Sequence, residues 1–207
     1  MKPTHTSIVR NQSSREGGRP KLIVLHTTEG GNFESLINEF NDPGSQASSH
    51  VANDFEGTSI RFVKDDAKAW TCCSYNPYTL NIEQLAFAKF SKKEWFTKHD
   101  KQLSNTAAWC AEWSIKYGIP LRKGLASGFT LWIQRSGIVQ HKDLGTLGCG
   151  HSDCGPNYPQ RYVTRVARLI VEEHHLGRPH SRTANRLRRQ VNRQRQRYGL
   201  HPFHAPR

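Results

Sequence analysis

The chain has 207 residues, 35% of them hydrophobic, and carries a formal charge of +13. That length suits one domain of ordinary size with appendages. No run approaches the roughly 18 apolar residues of a membrane span, the opening MKPTHTSIVRNQSSREGG lacks the apolar core of a secretory signal, and five irregularly spaced cysteines do not make a secreted disulfide framework.

The charge is uneven. Nine arginines and no Asp or Glu lie between Arg178 and Arg207, which leaves +4 for residues 1–177. A basic chain suits an anionic polymer or a membrane surface, and charge alone does not choose between them.

Residues 1–20 are polar and rich in Gly, Ser and Arg, and read as a leader packed along the surface. Lys21–Leu25 is a buried apolar strand that exits into His26 and the polar turn Thr27–Gly31. Leu36, Ile37 and Phe40 sit at helical spacing within 34–40, and Asn41-Asp42-Pro43-Gly44 stops that helix. Residues 48–53 and 59–63 read as strands joined by a turn. Residues 80–87 form a further strand with Glu83 inside it. Residues 103–117 make the clearest helix, capped by Gly118 ahead of Pro120. Residues 131–139 hold a strand broken at Arg135-Ser136-Gly137, and 145–159 is a glycine- and proline-punctuated loop. Residues 162–174 form a helix with Val163, Val166, Leu169 and Ile170 facing inward. Strands mixed with helices indicate an α/β sheet covered by helices. The tail from 178 has only Leu187 and Val191 as an apolar stripe, so a disordered arm or marginal helix is expected.

His26 at a strand exit is on its own most simply a hydrogen-bonded histidine. Downstream lie Ser49-His50, Glu83, His141 and the stretch His151-Ser152-Asp153-Cys154. Two histidines with a carboxylate or thiolate make a three-ligand zinc site whose open position holds a water. A carboxylate such as Glu83, inside an apolar strand, either shuttles that water's proton or pairs with a Lys or Arg. Cys72 and Cys73 read as buried, inert thiols, and Asp65-Asp66 and Lys92-Lys93 as solvated surface.

The segments LIVLHTTEG (22–30), SSHVANDFEG (48–57), Ala69-Trp70, NIEQ (81–84), GIVQHKDLG (137–145) and GHSDCGPNYP (150–159) together resemble the zinc-dependent N-acetylmuramoyl-L-alanine amidases of the amidase-2 type, which are related to peptidoglycan recognition proteins and T7-type lysozyme. The phage endolysin-like branch is the most similar, through the SSH strand and the GCGHSDCGPNYP loop. The resemblance covers roughly residues 20–176. It implies an α/β fold with a central mixed sheet flanked by helices, and a zinc site in a groove at one face of the sheet. The implied organisation is a leader (1–20), a catalytic domain (21–177) and an Arg-rich tail (178–207).

Carried over by position, His26, His141 and Asp153 are the implied Zn2+ ligands. Glu83 is the acidic residue that activates water, and His151 stabilises the oxyanion. His50, Thr27 and Trp70 are the substrate-contact candidates. Two departures stand out. Ser49 occupies a position where many members have a catalytic Tyr, which shifts weight to Glu83. Cys154 replaces a usual Pro, so its thiolate competes with Asp153 as third ligand, although the GPNYP register favours Asp153. Cys149, where the related loop has Gly, would crowd the metal or pair with Cys154. The implied activity is cleavage of the amide between N-acetylmuramic acid and L-Ala, with a non-catalytic peptidoglycan recognition module as the alternative. The expected partners are peptidoglycan and, through the tail, an anionic wall polymer or membrane surface. No specific nucleic acid is expected, because the tail has only Tyr198 and Phe203 as interleaved aromatics. A monomer is expected, made in the host cytoplasm without a signal peptide and acting on the wall after release.

Overall fold

The computed structural model describes residues 3–204. The outermost positions of the expected leader and tail, 1–2 and 205–207, lie outside the described residues. The strands are β1 (His5–Thr6), β2 (Gln12–Ser14), β3 (Leu22–Leu25), β4 (Val51–Asn53), β5 (Ser59–Arg61), β6 (Ala67–Ala69), β7 (Thr79–Gln84), β8 (Leu125–Ala126), β9 (Ile133–Arg135) and β10 (Gly137–Gln140). The α-helices are α1 (Phe33–Asn41), α2 (Lys92–Lys98), α3 (Asp100–Tyr117), α4 (Gln160–Ile170) and α5 (Arg182–Gln196).

Six strands form a mixed sheet in the order β1-β5-β4-β7-β3-β10. Its centre is parallel: β3 pairs with β7 and β10, and β7 with β4. The expected 48–53 and 59–63 strands appear as the antiparallel pair β4–β5. β3 is fully buried, as a continuous apolar run in a parallel sheet should be. Ile23, Leu25, Leu80, Ile82 and Ile138 pack into the large core with α3 and α4. On the other face Leu22, Val24 and Val139 pack with Cys72, Tyr75 and Leu144. Period-2 alternation thus separates the two faces residue by residue. The mixed α/β architecture is the one expected from sequence.

The helices start and stop where local chemistry dictates. Asn32 caps α1 in a reciprocal box with Ser35. Gly118 ends α3 at φ 69°, in the left-handed region that glycine adopts without a Cβ penalty. α2 begins at Lys92-Lys93, which are exposed as expected, and the helix they open was not expected. Ser91 and Glu94 form a capping box, and Trp95 and Phe96 bury fully.

Three expectations need correction. The leader is part of the fold: β1 adds to the sheet edge beside β5, and β2 pairs with β6. Arg15 is buried, donating Nε–H to Asp65 O (2.9 Å) and guanidinium hydrogens to Pro77 O and Thr79 O. Asp65 is likewise no surface residue. It is 6% exposed and accepts from Lys116 Nζ (2.9 Å), Trp113 Nε1 and Tyr117 Oη. Burial pushes its carboxyl up, but Lys116 and Arg61 outweigh that and hold it low.

The tail is the third case. α5 is a 15-residue helix with Ser181 as N-cap, and it packs against α4. Its Ala184, Leu187 and Val191 are buried, and Phe203 folds back onto the same core. Arg195 is also buried and donates to Asp100 Oδ1, Tyr162 Oη and His201 O. Leu187 and Val191 dock the helix together with Ala184 and Phe203 because α4 supplies a ready surface, each large side chain buried contributing about 1.5–3 kcal/mol.

Candidate metal centre

His26 follows β3, Glu83 lies near the end of the adjacent parallel strand β7, and His141 follows β10, so all three emerge near the carboxyl ends of these strands. That edge is where open α/β sheets bind ligands. The register Gln140↔Leu25↔Ile82 sets His141, His26 and Glu83 side by side. Asp153 arrives from the loop after the 3-10 turn His141–Gly148. Its position is pinned by the Thr27 N–H (3.3 Å to Oδ2) and by its own carbonyl, which accepts from the Lys142 N–H.

His26 Nδ1 lies 3.0 Å from His141 Nδ1 and 3.4 Å from Asp153 Oδ2, and His141 Nδ1 is 3.3 Å from Asp153 Oδ1. All three residues are buried. The other ring nitrogens are committed elsewhere. His26 Nε2–H donates to Asn81 Oδ1 (3.2 Å), and His141 Nε2–H donates to Gly148 O (2.7 Å). These partners fix the tautomers so that both Nδ1 lone pairs face one point beside a carboxylate. Lone pairs facing each other repel, and a divalent cation converts the arrangement into a ligand set. A tetrahedral site with bonds of about 2.0–2.1 Å has ligand atoms about 3.3 Å apart, close to the separations here. The donors fit a metal ion, and imidazole with carboxylate suits zinc.

The electrostatics agree. Burial, then the neighbouring His141, lowers the pKa of His26, so its ring is held neutral and ligand-competent. Burial pushes the Asp153 carboxyl up, but the two imidazoles beside it outweigh that and hold it well below its usual range.

A groove of about 410 Å³ opens over this cluster, with Thr27, Glu29, Trp70, Glu83 and His151 among its lining. Glu83 Oε1 is 4.0 Å from His26 Nδ1, and Oε2 is buried with no hydrogen-bond partner. Burial, then Asp153, Glu39 and Glu29, raises its pKa well above the carboxylate range. The salt bridge to a Lys or Arg that sequence allowed for Glu83 does not form among the described residues. His151 is exposed and stacks on His141, with ring centroids 4.4 Å apart at 21°. Trp70 is half-buried and donates Nε1–H to Ser13 Oγ.

Three readings change. His50 does not reach the groove. It is fully buried, with Nδ1 accepting the Asn81 N–H (3.1 Å) and Nε2 facing Arg15 Nη2 (2.9 Å). Burial, then Arg15, lowers its pKa to about 3, so it stays neutral as a structural joint between leader and sheet. Cys154 points into the core, 3.8 Å from Gln84 Nε2, leaving Asp153 alone of the two beside the histidines. Cys149 pairs with neither the metal cluster nor Cys154. It forms a disulfide with Cys73, 76 residues away, so Cys73 is no free thiol.

Sequence reasoning passed over Asn81, whose Oδ1 orients His26 and also accepts from Cys72 Sγ (3.1 Å). The signal was present: Asn81 stands two residues before Glu83 on the same strand, hence on the same face.

A mixed sheet with a buried two-histidine, one-carboxylate cluster at its carboxyl edge defines a class: α/β domains with a metal-competent groove. The N-acetylmuramoyl-L-alanine amidase family (Amidase_2) matches residues 16–156, and the chain belongs to that family. No curated protein sequence matches it. Its fold is similar to that of Staphylococcus aureus hydrolase AmiA, solved with its ligand (17% identity, 86% of this chain and 87% of that one, TM-score 0.62). It is also similar to AmpD (18%, 81% and 95%, TM-score 0.58). A third similar structure is the endolysin N-acetylmuramoyl-L-alanine amidase LysCS from Clostridium intestinale (16%, 79% and 94%, TM-score 0.52). No helix among the described residues is long and apolar enough to cross a membrane.

Proposed function

We propose that this protein hydrolyses the amide between N-acetylmuramic acid and the L-Ala of the peptidoglycan stem, with Zn2+ held by His26, His141 and Asp153. The carrying observation is the convergence of two oriented Nδ1 atoms and an ionised carboxylate within 4.8 Å. When bound, the ion supplies a water acidic enough to act at neutral pH and polarises the amide carbonyl.

The chain's own residues supply the rest. Asn81 and the Gly148 carbonyl hold the two imidazoles in the ligating tautomer, and the Thr27 N–H holds Asp153. Glu83, which lines the groove and has one buried oxygen without a hydrogen-bond partner, takes the proton of the attacking water and returns it to the departing amine. His151, exposed beside His141, donates an N–H to the oxyanion as the carbonyl becomes tetrahedral. Thr27 and Trp70 form floor and wall of the substrate groove.

Digestion of purified sacculi tests this reading. New amino-terminal Ala without new reducing sugar is the expected result. Reducing sugar without free Ala amines would make the chain a glycosidase, and tight binding of wall fragments without zinc or cleavage would make it a recognition module. We further assign the enzyme to host lysis by a phage or prophage, supported by the SSH strand and the GCGHSDCGPNYP loop. Cells expressing it should stay intact until their membrane is permeabilised, and then lyse.

A further inference from the structure

The face of the molecule opposite the metal cluster carries a feature the amidase reading does not use. Alternation along β10 sends His141 to the metal cluster and Gln140 to the other face, where Gln140 Nε2 donates to Gln160 Oε1. There α4 and α5 lie side by side. Between them and the 121–123 segment run two grooves of about 400 and 590 Å³, which share Gln160, Arg161, Arg165 and Gln190. No Asp or Glu lines either one.

The cations come from both sides. Arg161, Arg165 and Arg168 project from α4, Arg186 and Arg193 from α5, and Arg122 from the preceding segment. None of these six has an acidic partner among the described residues. Arg188 and Arg195 behave differently, being tied to Glu173 and Asp100. The fold therefore spends two tail arginines on docking α5 and leaves Arg186 and Arg193 unpaired along a continuous channel. Holding like charges in one concave strip is unfavourable by itself, and a polyanion relieves it. Five of the six cations lie beyond residue 156, outside the stretch that matches the amidase family.

The lining also selects among polyanions. Tyr162 is fully buried and Tyr158 6% exposed, so no aromatic face is presented for stacking bases. Leu187 is 2% exposed and Leu121 half-buried, so the channel presents no fully exposed apolar side chain to enter a bilayer. Arginines interspersed with glutamines match a chain that alternates phosphates with hydroxyl-bearing units.

We propose that the α4–α5 channel binds a linear phosphodiester polymer of the cell wall, anchoring the enzyme while the opposite face works on peptidoglycan. The choice of a wall polymer rests on the hydrolase reading; the channel's affinity for polyphosphate chains does not.

The test uses the full chain carrying Asp153→Ala, so that binding is read without hydrolysis. The probes are lipid-free poly(glycerol phosphate), a single-stranded oligonucleotide of equal phosphate number, and phosphatidylglycerol vesicles. Poly(glycerol phosphate) is expected to bind tightest. The variant Arg161→Gln/Arg165→Gln/Arg168→Gln/Arg186→Gln should bind it about tenfold or more weakly, with a salt slope shallower by about 2–3. A control of equal charge change, Arg10→Gln/Arg19→Gln/Lys64→Gln/Arg135→Gln, should bind as the parent does. Equal losses in both variants, or tighter binding of the oligonucleotide or vesicles, would overturn the proposal. Cleavage of polymer-free muropeptides by the otherwise native groove variant should be unchanged. Persistent cleavage without polymer binding would remove the anchor and leave the amidase reading standing.

Discussion

The two faces of the sheet use charge in opposite ways. On one, His26, His141, Asp153 and Glu83 are mostly buried, few, and held by specific partners such as Asn81, Gly148 and Thr27. On the other, the arginines of α4 and α5 that line the grooves are mostly exposed, numerous and unpaired. The first face is pre-organised to hold a small, hard-to-place charge, and one ångström of error there would undo it. The second recognises by accumulated charge, so no single residue is indispensable. Single substitutions should therefore be severe on the metal face and graded on the basic one.

The largest effect is expected for Asp153→Ala. It should abolish stoichiometric zinc and lower amidase activity by about three orders of magnitude or more. Cys154→Ala should retain zinc, and the reverse pattern by metal analysis would move the third ligand to the thiol. Glu83→Gln is next: turnover should fall by about 10²–10⁴-fold with zinc retained, as removal of a general base requires. Retained turnover would return Glu83 to a structural role.

Leu187→Ala crosses from one face to the other. It should cost about 2–5 kcal/mol in unfolding measurements while folded protein keeps its zinc, because the α5 seam lies on the far side of the sheet. A negligible cost would mean that α5 is not docked. Asn81→Ala should weaken metal affinity about 10–100-fold by freeing the His26 ring, a loss that chelator competition would measure.

The smallest effect concerns pH. The His50 ring has a folded pKa of about 3 against about 6.5 when unfolded. As pH falls below 6.5 the unfolded chain takes up a proton that the folded one refuses, so stability drops by about 1.4 kcal/mol per pH unit until about pH 3. The stability advantage of wild type over His50→Gln should therefore shrink between pH 7 and pH 5. A constant gap would show that His50 is not held neutral.

Much of the fold was legible because it rests on local pattern. The apolar run 22–25, the helical spacing of Leu36, Ile37 and Phe40, and Gly118 after a long amphipathic segment each specify an element without outside help. The α2 helix was legible too, in Ser91 and Glu94, but its lysines masked the capping box. The leader, Arg15 and the docking of α5 were not legible, since their partners lie 50 or more residues away or on another helix.

The site divides the same way. Sequence by itself determined the residue types: histidines at two strand exits, a carboxylate in a glycine-rich loop, an acid inside an apolar strand. Those types are ones a metal centre can draw on. Tertiary structure alone decided which atoms meet. It turned Asp153 toward the histidines and Cys154 into the core, joined Cys73 to Cys149, and withdrew His50 behind Arg15. The physical reason is that residue type sets what a group can do, whereas the direction of a side chain depends on strand register, alternation and distant hydrogen-bond partners.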